Sequence, residues 1–275
     1  MPTTRAAHAD RSALLDRLEA AVLDLRRSDA WSAYLAAQAR FHRYSPRNVM
    51  LITMQRPDAT HVAGFGTWRQ LGRQVRKGER AISILAPMVV TEDDGERRVR
   101  GFRWVSVFDL AQTEGEDLPT PVTTLDGADP GRLLDLLVRV AADHGLRVVE
   151  DALAPGVNGE LRWATSTIVL APSNPGLQKA KTVVHELGHF LLHRHEPDRA
   201  RAEIEAEAVA FVVLASLGID SSAYSAGYLS SWIGEHGDVS AAIERSCEAI
   251  RSASSSVLAR IEAQERSAGL TPQVA

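Results

Sequence analysis

The sequence predicts an α+β protein of two domains: a helix-plus-small-sheet domain over residues 1–120 and a mostly helical domain with a short sheet over residues 121–275. Apolar residues at helical spacing near the N-terminus predict helices, and β-branched and aromatic runs between glycines and charges predict a small sheet after them. Beyond residue 176 the pattern is helical almost to the end. The length of 275 residues, with 45% hydrophobic and 24% charged residues, is typical of one large or two ordinary globular domains.

The first domain is predicted from successive segments. Residues 9–42 carry apolar side chains at helical spacing and predict one long or two short amphipathic helices. The stretch YSPRN at 44–48 interrupts this pattern, and VMLITM at 49–54 predicts a short helix or strand. Runs rich in β-branched and aromatic residues at 64–90 and 97–115 predict the strands of the small sheet.

The second domain follows a polar connection. Residues 114–131 are rich in Pro, Gly, Asp and Thr, which places the domain boundary near residue 120. A helix is predicted between Pro130 and Gly145, because proline is favoured at the start of a helix and glycine after its end. The stretch LRVVE at 146–150 predicts a strand, and residues 159–172 predict a hairpin or paired strands.

The cysteine content predicts a reducing, cytoplasmic location. Cys247 is the one cysteine in the sequence, so an intrachain disulfide cannot form. The N-terminal stretch lacks the apolar core of a signal peptide, and no segment reaches the roughly 18 apolar residues that a membrane span requires. No membrane partner is therefore expected.

The formal charge is distributed unevenly along the chain. Residues 1–118 contain 18 Lys and Arg against 15 Asp and Glu, a net charge of +3, and the remainder contains 13 against 20, a net charge of −7. The two halves are therefore expected to face different partners.

The segment 40–80 concentrates positive charge, with nine Lys and Arg against Asp58 and Glu79, a net charge of +7. Aromatic residues are interleaved with these charges, a combination that suits single-stranded nucleic acid because cations track phosphates while rings stack on bases for about 1–3 kcal/mol each. The alternative is a solvated basic surface with aromatic residues in the core. The candidate DNA contacts are Arg43, Tyr44, Arg47, Trp68, Arg69, Arg73, Arg76, Lys77 and Arg80.

Residues 185–189 read HELGH, an HExxH motif in an apolar helical pattern. His185 and His189 are four residues apart and share a helical face, so both imidazoles can bind one zinc ion. Glu186 is then placed to act as the general base that takes a proton from a metal-bound water. The alternative is a pair of core histidines whose hydrogen bonds are satisfied by the protein.

A zinc site of this kind needs a third protein ligand, and the acidic start of the next helical pattern offers it. Glu203 and Glu207 are four residues apart and share a face, whereas Glu205 points elsewhere. We predict that Glu203 binds the ion directly and that Glu207 contacts and orients one of the ligand residues, with the reverse assignment left open. A solvated acidic first turn is the alternative for any one of these glutamates.

Two further histidines are weaker candidates. His195 stands at the third-ligand position of HExxHxxGxxH, but Leu192 replaces the glycine that would turn the chain back to the metal. His193 shares the helical face of the motif, but a helix rises by about 6 Å over four residues, so this side chain lies farther from the ion. His193 is therefore expected to support a ligand residue or to lie at the end of the helix. Tyr224 and Tyr228 could stabilise an oxyanion, although packing is favoured for both.

The segments HELGHFLLH at 185–193 and EIEAEAVAF at 203–211 resemble the ImmA/IrrE-type zincin peptidases. The resemblance implies a zinc-dependent peptidase domain with Glu203 at the ligand position and a protein or peptide substrate. Glu207 stands where zincin families often have Asn or Asp.

The segments FHRYSPRNVMLI, GFGTWRQLGRQVRKGERAISILAP and VFDLAQTEG resemble, in that order, the N-terminal single-stranded-DNA-binding domain of ArdC-type antirestriction proteins. They cover most of residues 30–118, and ArdC-type proteins also carry a C-terminal metalloprotease-like domain. The resemblance implies single-stranded-DNA binding and antirestriction or DNA protection on mobile elements. Two alternatives remain: a DNA-protecting protein whose zinc domain is not catalytic, and a protease that cleaves a repressor.

Overall fold

The computed structural model describes residues 4–92, 96–118, 130–219 and 238–267, with side chains described from residue 11 and, after the second gap, from residue 132. The chain divides into two compact units, one formed by residues 1–18 and 47–119 and the other by residues 19–46 and 120–274. Both units combine helices with small sheets, so the predicted α+β class with two domains is confirmed. Among the described residues, no helix is both long enough and apolar enough to cross a bilayer.

The first unit is built on small antiparallel sheets. Its strands are β1 (Val62–Gly64), β2 (Arg73–Val75), β3 (Ile82–Thr91), β4 (Arg97–Asp109) and β5 (Thr113–Gly115). The order β1-β4-β3 forms one sheet, and β2 pairs with β5 in a second. The helices are α3 (Pro46–Gln55) and α4 (Phe65–Gln70), and the N-terminal helix α1 (Thr4–Asp24) begins in this unit.

Two amides of α3 hold β3 at the edge of its sheet. Asn48 donates to the carbonyl of Leu85 at 2.8 Å and accepts from the amide of Leu85 at 2.9 Å. Gln55, two helical turns later, pairs in the same way with Ser83 at 2.8 and 2.9 Å. Because these bonds satisfy backbone groups that an edge strand leaves unpaired, the segment around YSPRN serves the fold of this unit.

The second unit surrounds a three-stranded sheet with five helices of the described chain. The strands are β6 (Arg147–Glu150), β7 (Gly159–Arg162) and β8 (Thr167–Leu170), with the buried β8 in the centre, parallel to β6 and antiparallel to β7. The helices are α2 (Ser28–Arg40), α5 (Pro130–Asp143), α6 (Gly176–Leu192), α7 (Arg199–Ser216) and α8 (Val239–Ser267). Within the described residues, the predicted helix before Gly145, the strand at 146–150, the paired strands and the HELGH helix are present.

The segment 19–46 belongs to the second unit, although the sequence that follows it, residues 47–119, belongs to the first. Helix α2 packs against α7, and its Trp31 and Leu35 are almost completely buried. The Ser216 hydroxyl of α7 donates to the carbonyl of Ala39, and the Ser255 hydroxyl of α8 donates to the carbonyl of His42, both at 2.8 Å. Burial of the apolar face of α2 against α7 thus brings a segment from the N-terminal part of the chain into the second compact unit. The domain boundary near residue 120 stays a prediction.

Helices α6 and α7 approach closely where Gly188 faces Ala206. A Cβ atom at position 188 would lie 3.1 Å from Cα and 3.4 Å from Cβ of Ala206. The absence of a side chain at Gly188 thus permits the crossing that carries Glu203 and Glu207 toward α6.

Gly188→Leu should destabilise the second unit by about 1–3 kcal/mol, because extra methylenes in a close-packed contact force backbone shifts. Chemical denaturation followed by circular dichroism would measure the change. Ala200→Leu adds a comparable side chain at an exposed position of α7 and serves as the control. Equal stabilities of the two variants would show that the α6–α7 contact tolerates a side chain.

Candidate metal centre

Helix α6 and helix α7 bring three metal-ligand side chains together. Nε2 of His185 and Nε2 of His189 are 3.1 Å apart. Oε2 of Glu203 lies 3.3 Å from Nε2 of His185, and its Oε1 lies 3.5 Å from Nε2 of His189. One donor atom from each residue lies within 4.8 Å of the other two.

These separations fit a divalent metal ion. In a tetrahedral site with bonds of about 2.0–2.2 Å to nitrogen and oxygen, neighbouring donors are about 3.3 Å apart. The observed separations of 3.1, 3.3 and 3.5 Å bracket that value. The Glu203 side chain is 67% exposed, so the cluster is open to solvent on that side.

Glu207 approaches His185 from the opposite side of the ring. Its Oε2 is 3.4 Å from Nδ1 of His185, and its Oε1 is 2.7 Å from Nζ of Lys181. Both Lys181 and Glu207 are largely buried. Glu203, and not Glu207, is thus the carboxylate beside the two Nε2 atoms.

Glu186 is buried next to the two histidines. Burial raises the pKa of its carboxyl group above the ordinary value, while the neighbouring His185 and His189 and the backbone N–H of Leu161 oppose this rise. A carboxyl group with a raised pKa can both accept and return a proton near neutral pH. The structure therefore places a candidate proton acceptor directly beside the candidate ligands.

The metal-free cluster favours a protonated His185. Burial alone would lower the pKa of His185, but contacts with Glu203 and Glu207 raise it to about 9. The hydrogen bond with His185 in turn lowers the pKa of Glu203 well below its usual range. A metal ion must displace the proton of His185, because only neutral imidazole is a ligand.

Metal binding should consequently strengthen with pH. His185 has an ordinary pKa of 6.5 and a pKa of about 9 in the folded protein. Because binding releases this proton, the apparent affinity for the metal ion should rise about tenfold per pH unit until the pH reaches the pKa of about 9. Competition with a chromogenic chelator between neutral and mildly alkaline pH would measure it, and a pH-independent affinity would contradict a protonated His185.

A polar cleft of about 210 Å³ adjoins the cluster. Gly159 of β7 comes close to α6 there, since a Cβ at this position would overlap Cγ2 of Thr182. Sequence reasoning missed Lys181, although it stands four residues before His185 on the same helical face. The cleft is lined by Asn158, Gly159, Gln178, Lys181, Thr182, His185, Glu186 and Glu207.

The other two histidines of this segment differ in environment. His193 is buried at the C-terminal cap of α6, with its Nδ1 3.1 Å from Nδ1 of His189 and its Nε2 3.0 Å from Oε2 of Glu205. His195 is exposed beyond the helix end and is not part of the cluster. Sequence reasoning also missed the contact of Glu205 with His193. The available signal was the recurrence of histidine at 185, 189 and 193 on one helical face, since a third buried histidine needs a hydrogen-bond partner. Tyr224 and Tyr228 lie outside the described residues.

Two of the predicted DNA contacts are corrected by the structure. Trp68 is only 2% exposed, and its indole N–H donates to the carbonyl of Phe108 at 2.9 Å, so its ring is part of the core. Arg73 is 9% exposed, and its guanidinium donates to Thr113 Oγ1 at 2.8 Å and to the carbonyls of residues 115 and 116. Neither side chain is available to an external strand.

The remaining predicted contacts are distributed over both units. Arg43 and Tyr44 belong to the second unit, where Arg43 pairs with Glu262 at 2.9 Å and the half-buried Tyr44 packs edge-to-face on Phe41. Arg76 pairs with Glu79 at 3.2 Å and donates to the carbonyl of residue 111. The exposed members in the first unit are Arg47, Arg69, Arg76, Lys77 and Arg80.

The second unit thus carries an HExxH helix with a cluster of three candidate metal ligands, and the first unit is a small α+β domain. Residues 11–120 match the family model of the N-terminal domain of anti-restriction factor ArdC, and residues 141–225 match that of the IrrE N-terminal-like domain, an M78 peptidase family. The chain thus combines a segment similar to the N-terminal domain of ArdC with a segment similar to the IrrE N-terminal domain. The resemblance predicted from the sequence is confirmed.

One relative is an uncharacterized Bacillus anthracis protein, pXO2-81, which is 26% identical over 246 residues. The match covers 70% of this chain and 41% of that relative, so the chain spans less than half the relative's length. The metal-free crystal structure of antirestriction protein ArdC from plasmid R388 has a TM-score of 0.44 at 18% identity, covering 83% of this chain and 86% of that one. The Mn(II)-bound structure of the same protein has a TM-score of 0.46 at 18% identity, covering 86% and 99%.

Proposed function

We propose that the protein binds single-stranded DNA through its ArdC-like domain and hydrolyses peptide bonds at a zinc site in its IrrE-like domain. The role would be antirestriction or DNA protection on mobile elements. One observation carries the hydrolytic part: Nε2 of His185, Nε2 of His189 and a carboxylate of Glu203 converge beside the buried Glu186. A cytoplasmic location stays a prediction.

The ligands would be His185, His189 and Glu203, an assignment that the convergence of their donor atoms supports. When bound there, a zinc ion would polarise a substrate carbonyl and lower the pKa of water to about 7. Glu186 would accept the proton of the attacking water and later return it to the leaving amine. Its burial supports this double role, because a raised carboxyl pKa lies closer to that of both partners.

Glu207 and Lys181 would hold His185 in place. Glu207 contacts the ring nitrogen of His185 that faces away from Glu203, and Lys181 neutralises the charge of Glu207. Such contacts behind a metal ligand orient the ring and increase its basicity. The polar cleft next to these residues would receive a segment of the substrate chain.

Single-stranded DNA would bind the exposed cations of the first unit, which include Arg69, Lys77 and Arg80. Each phosphate contact contributes about 0.7 to the slope of log affinity against log salt for a single strand. Arg69→Ala should therefore lower this slope by about 0.7. Fluorescence anisotropy of a labelled oligonucleotide would measure it, with Arg139→Ala, an exposed arginine of the second unit, as the control. Identical slopes in the two variants would remove Arg69 from the binding surface.

A cleavage assay tests the proposal as a whole. The full chain is incubated with casein, and its own cleavage is followed, with and without single-stranded DNA and with added zinc or manganese. Glu186→Gln serves as the control without a general base. Metal-dependent cleavage by the wild type alone supports a peptidase. DNA binding without any cleavage would instead support a DNA-protecting protein whose metal domain is not catalytic.

A further inference from the structure

A row of hydrogen-bonded polar side chains, largely buried, begins at Nδ1 of His189, the ring nitrogen that faces away from the metal cluster. This Nδ1 lies 3.1 Å from Nδ1 of His193, Nε2 of His193 lies 3.0 Å from Oε2 of Glu205, and Oε1 of Glu205 accepts from Nε of Arg201 at 2.8 Å. We propose that Glu205, acting through His193, holds His189 in the tautomer whose Nε2 is free to bind a metal ion. The inference rests on the proposed metal site.

The hydrogen-bonding capacity of each group dictates the direction of the row. A carboxylate such as Glu205 can only accept, so Nε2 of His193 must carry the proton that it donates. In a neutral His193 the other nitrogen, Nδ1, is then an acceptor. Nδ1 of His189 must consequently carry the proton and donate it to His193. Nε2 of His189, which faces the cluster, is left with its lone pair.

Burial favours this order for a neutral His193. The side chains of His193 and Glu205 are 4% and 2% exposed, so water cannot readily substitute for a missing partner. A buried donor or acceptor that loses its partner costs about 1–3 kcal/mol. The alternative tautomer of His189 would leave the lone pair of Nδ1 facing that of His193, and would place a proton on Nε2, where the metal ion belongs.

Arg201 keeps Glu205 in the role of acceptor. Its Nε donates to Glu205, and its Nη1 lies 3.6 Å from Oε2 of Glu196. The backbone N–H of Arg201 is capped by Asp198, which starts α7 at this point. Contacts with Glu205 and Glu196 hold the guanidinium, so Glu205 faces a cation on one side and His193 on the other.

The two ligand histidines are held by different means. His185 contacts the carboxylate of Glu207 directly, whereas His189 reaches the carboxylate of Glu205 through a second imidazole. The stretch EIEAEA on α7 thus supplies three carboxylates with three functions. Glu203 faces the ion, while Glu205 and Glu207 position the two imidazoles. His193 and Glu205 are positioning residues and touch neither substrate nor ion.

Histidine tautomers can be read from the nitrogen chemical shifts of the full-length protein labelled with ¹⁵N-histidine. We expect the proton of His189 on Nδ1 and that of His193 on Nε2, both in metal-free protein and after addition of zinc. A proton on Nε2 of His189 in metal-free protein would overturn the inference. This measurement uses the wild type and does not depend on the folding of any variant.

Metal affinity supplies an independent readout. His193→Ala should weaken zinc binding by about 10- to 100-fold, the usual effect of removing a partner behind a ligand. His195→Ala removes an exposed histidine two positions later and should leave the affinity unchanged. A folded His193→Ala variant with wild-type affinity would overturn the inference. A wild type that binds no metal ion would instead overturn the proposed function itself.

Discussion

Replacing His185 with alanine should leave the purified protein without metal, whereas the wild type should hold about one ion per chain. Among the described residues the cluster has three donors, and the loss of one leaves His189 and an exposed Glu203. The same change removes the imidazole between Glu203 and Glu207, so that two carboxylates face each other across the vacated position. His189 and Glu203 alone then offer too few protein donors to retain the ion.

Elemental analysis after dialysis against metal-free buffer would measure the ion content of both proteins. His195→Ala is the matched control, because it removes an exposed imidazole of the same segment. Circular dichroism should show an unchanged helical content for both variants. A wild type that is folded and free of metal, or a His185→Ala variant that retains the ion, would refute the assigned ligands.

Glu186→Gln should lower any peptide cleavage by about 10²- to 10⁴-fold, the contribution that a general base makes. The amide has the shape of the carboxyl group but cannot accept a proton from water. Glu186 is not one of the three clustered donors, so metal content should persist. Binding of single-stranded DNA should also persist, since the exposed cations belong to the other unit.

The rate of cleavage, the metal content and the DNA affinity of Glu186→Gln should be measured on the same preparation. Glu248→Gln makes the same chemical change at an exposed ion pair with Arg251 and should behave as the wild type. If Glu186→Gln still protects DNA in cells while cleavage is absent, protection is a function of binding alone. Full cleavage by this variant would exclude Glu186 as the general base.

The helical elements around the site were predictable because their signals are local. The helix before Gly145, the strand pair near residue 160 and the HELGH helix all follow from periodicity and from residues that begin or end a helix. The pairing of His185 with His189 follows in the same way, since residues four apart lie on one face of any helix. These features require no knowledge of distant residues.

The prediction of DNA-contacting residues was wrong for two side chains that the fold buries. Trp68 and Arg73 carry the residue types of a DNA-binding surface, but one fills the core and the other binds backbone carbonyls. Composition does not indicate the direction of a side chain, which depends on the strands packed around it. The proposed DNA-binding surface keeps the exposed cations of the first unit, and only the tertiary structure reveals their exposure: Arg47, Arg69, Arg76, Lys77 and Arg80.

By itself the sequence predicted the fold class, the two family resemblances and the HExxH motif with its two histidines and its glutamate. Only the tertiary structure decided which carboxylate faces the two imidazoles and what holds each imidazole in place. The crossing of α6 and α7 at Gly188 and Ala206 brings Glu203 to the Nε2 atoms, Glu207 to the far side of His185, and Glu205 to His193. The reason is physical: a helix is specified by hydrogen bonds between near neighbours, whereas the contacts between helices depend on the packing of residues that are distant in the chain.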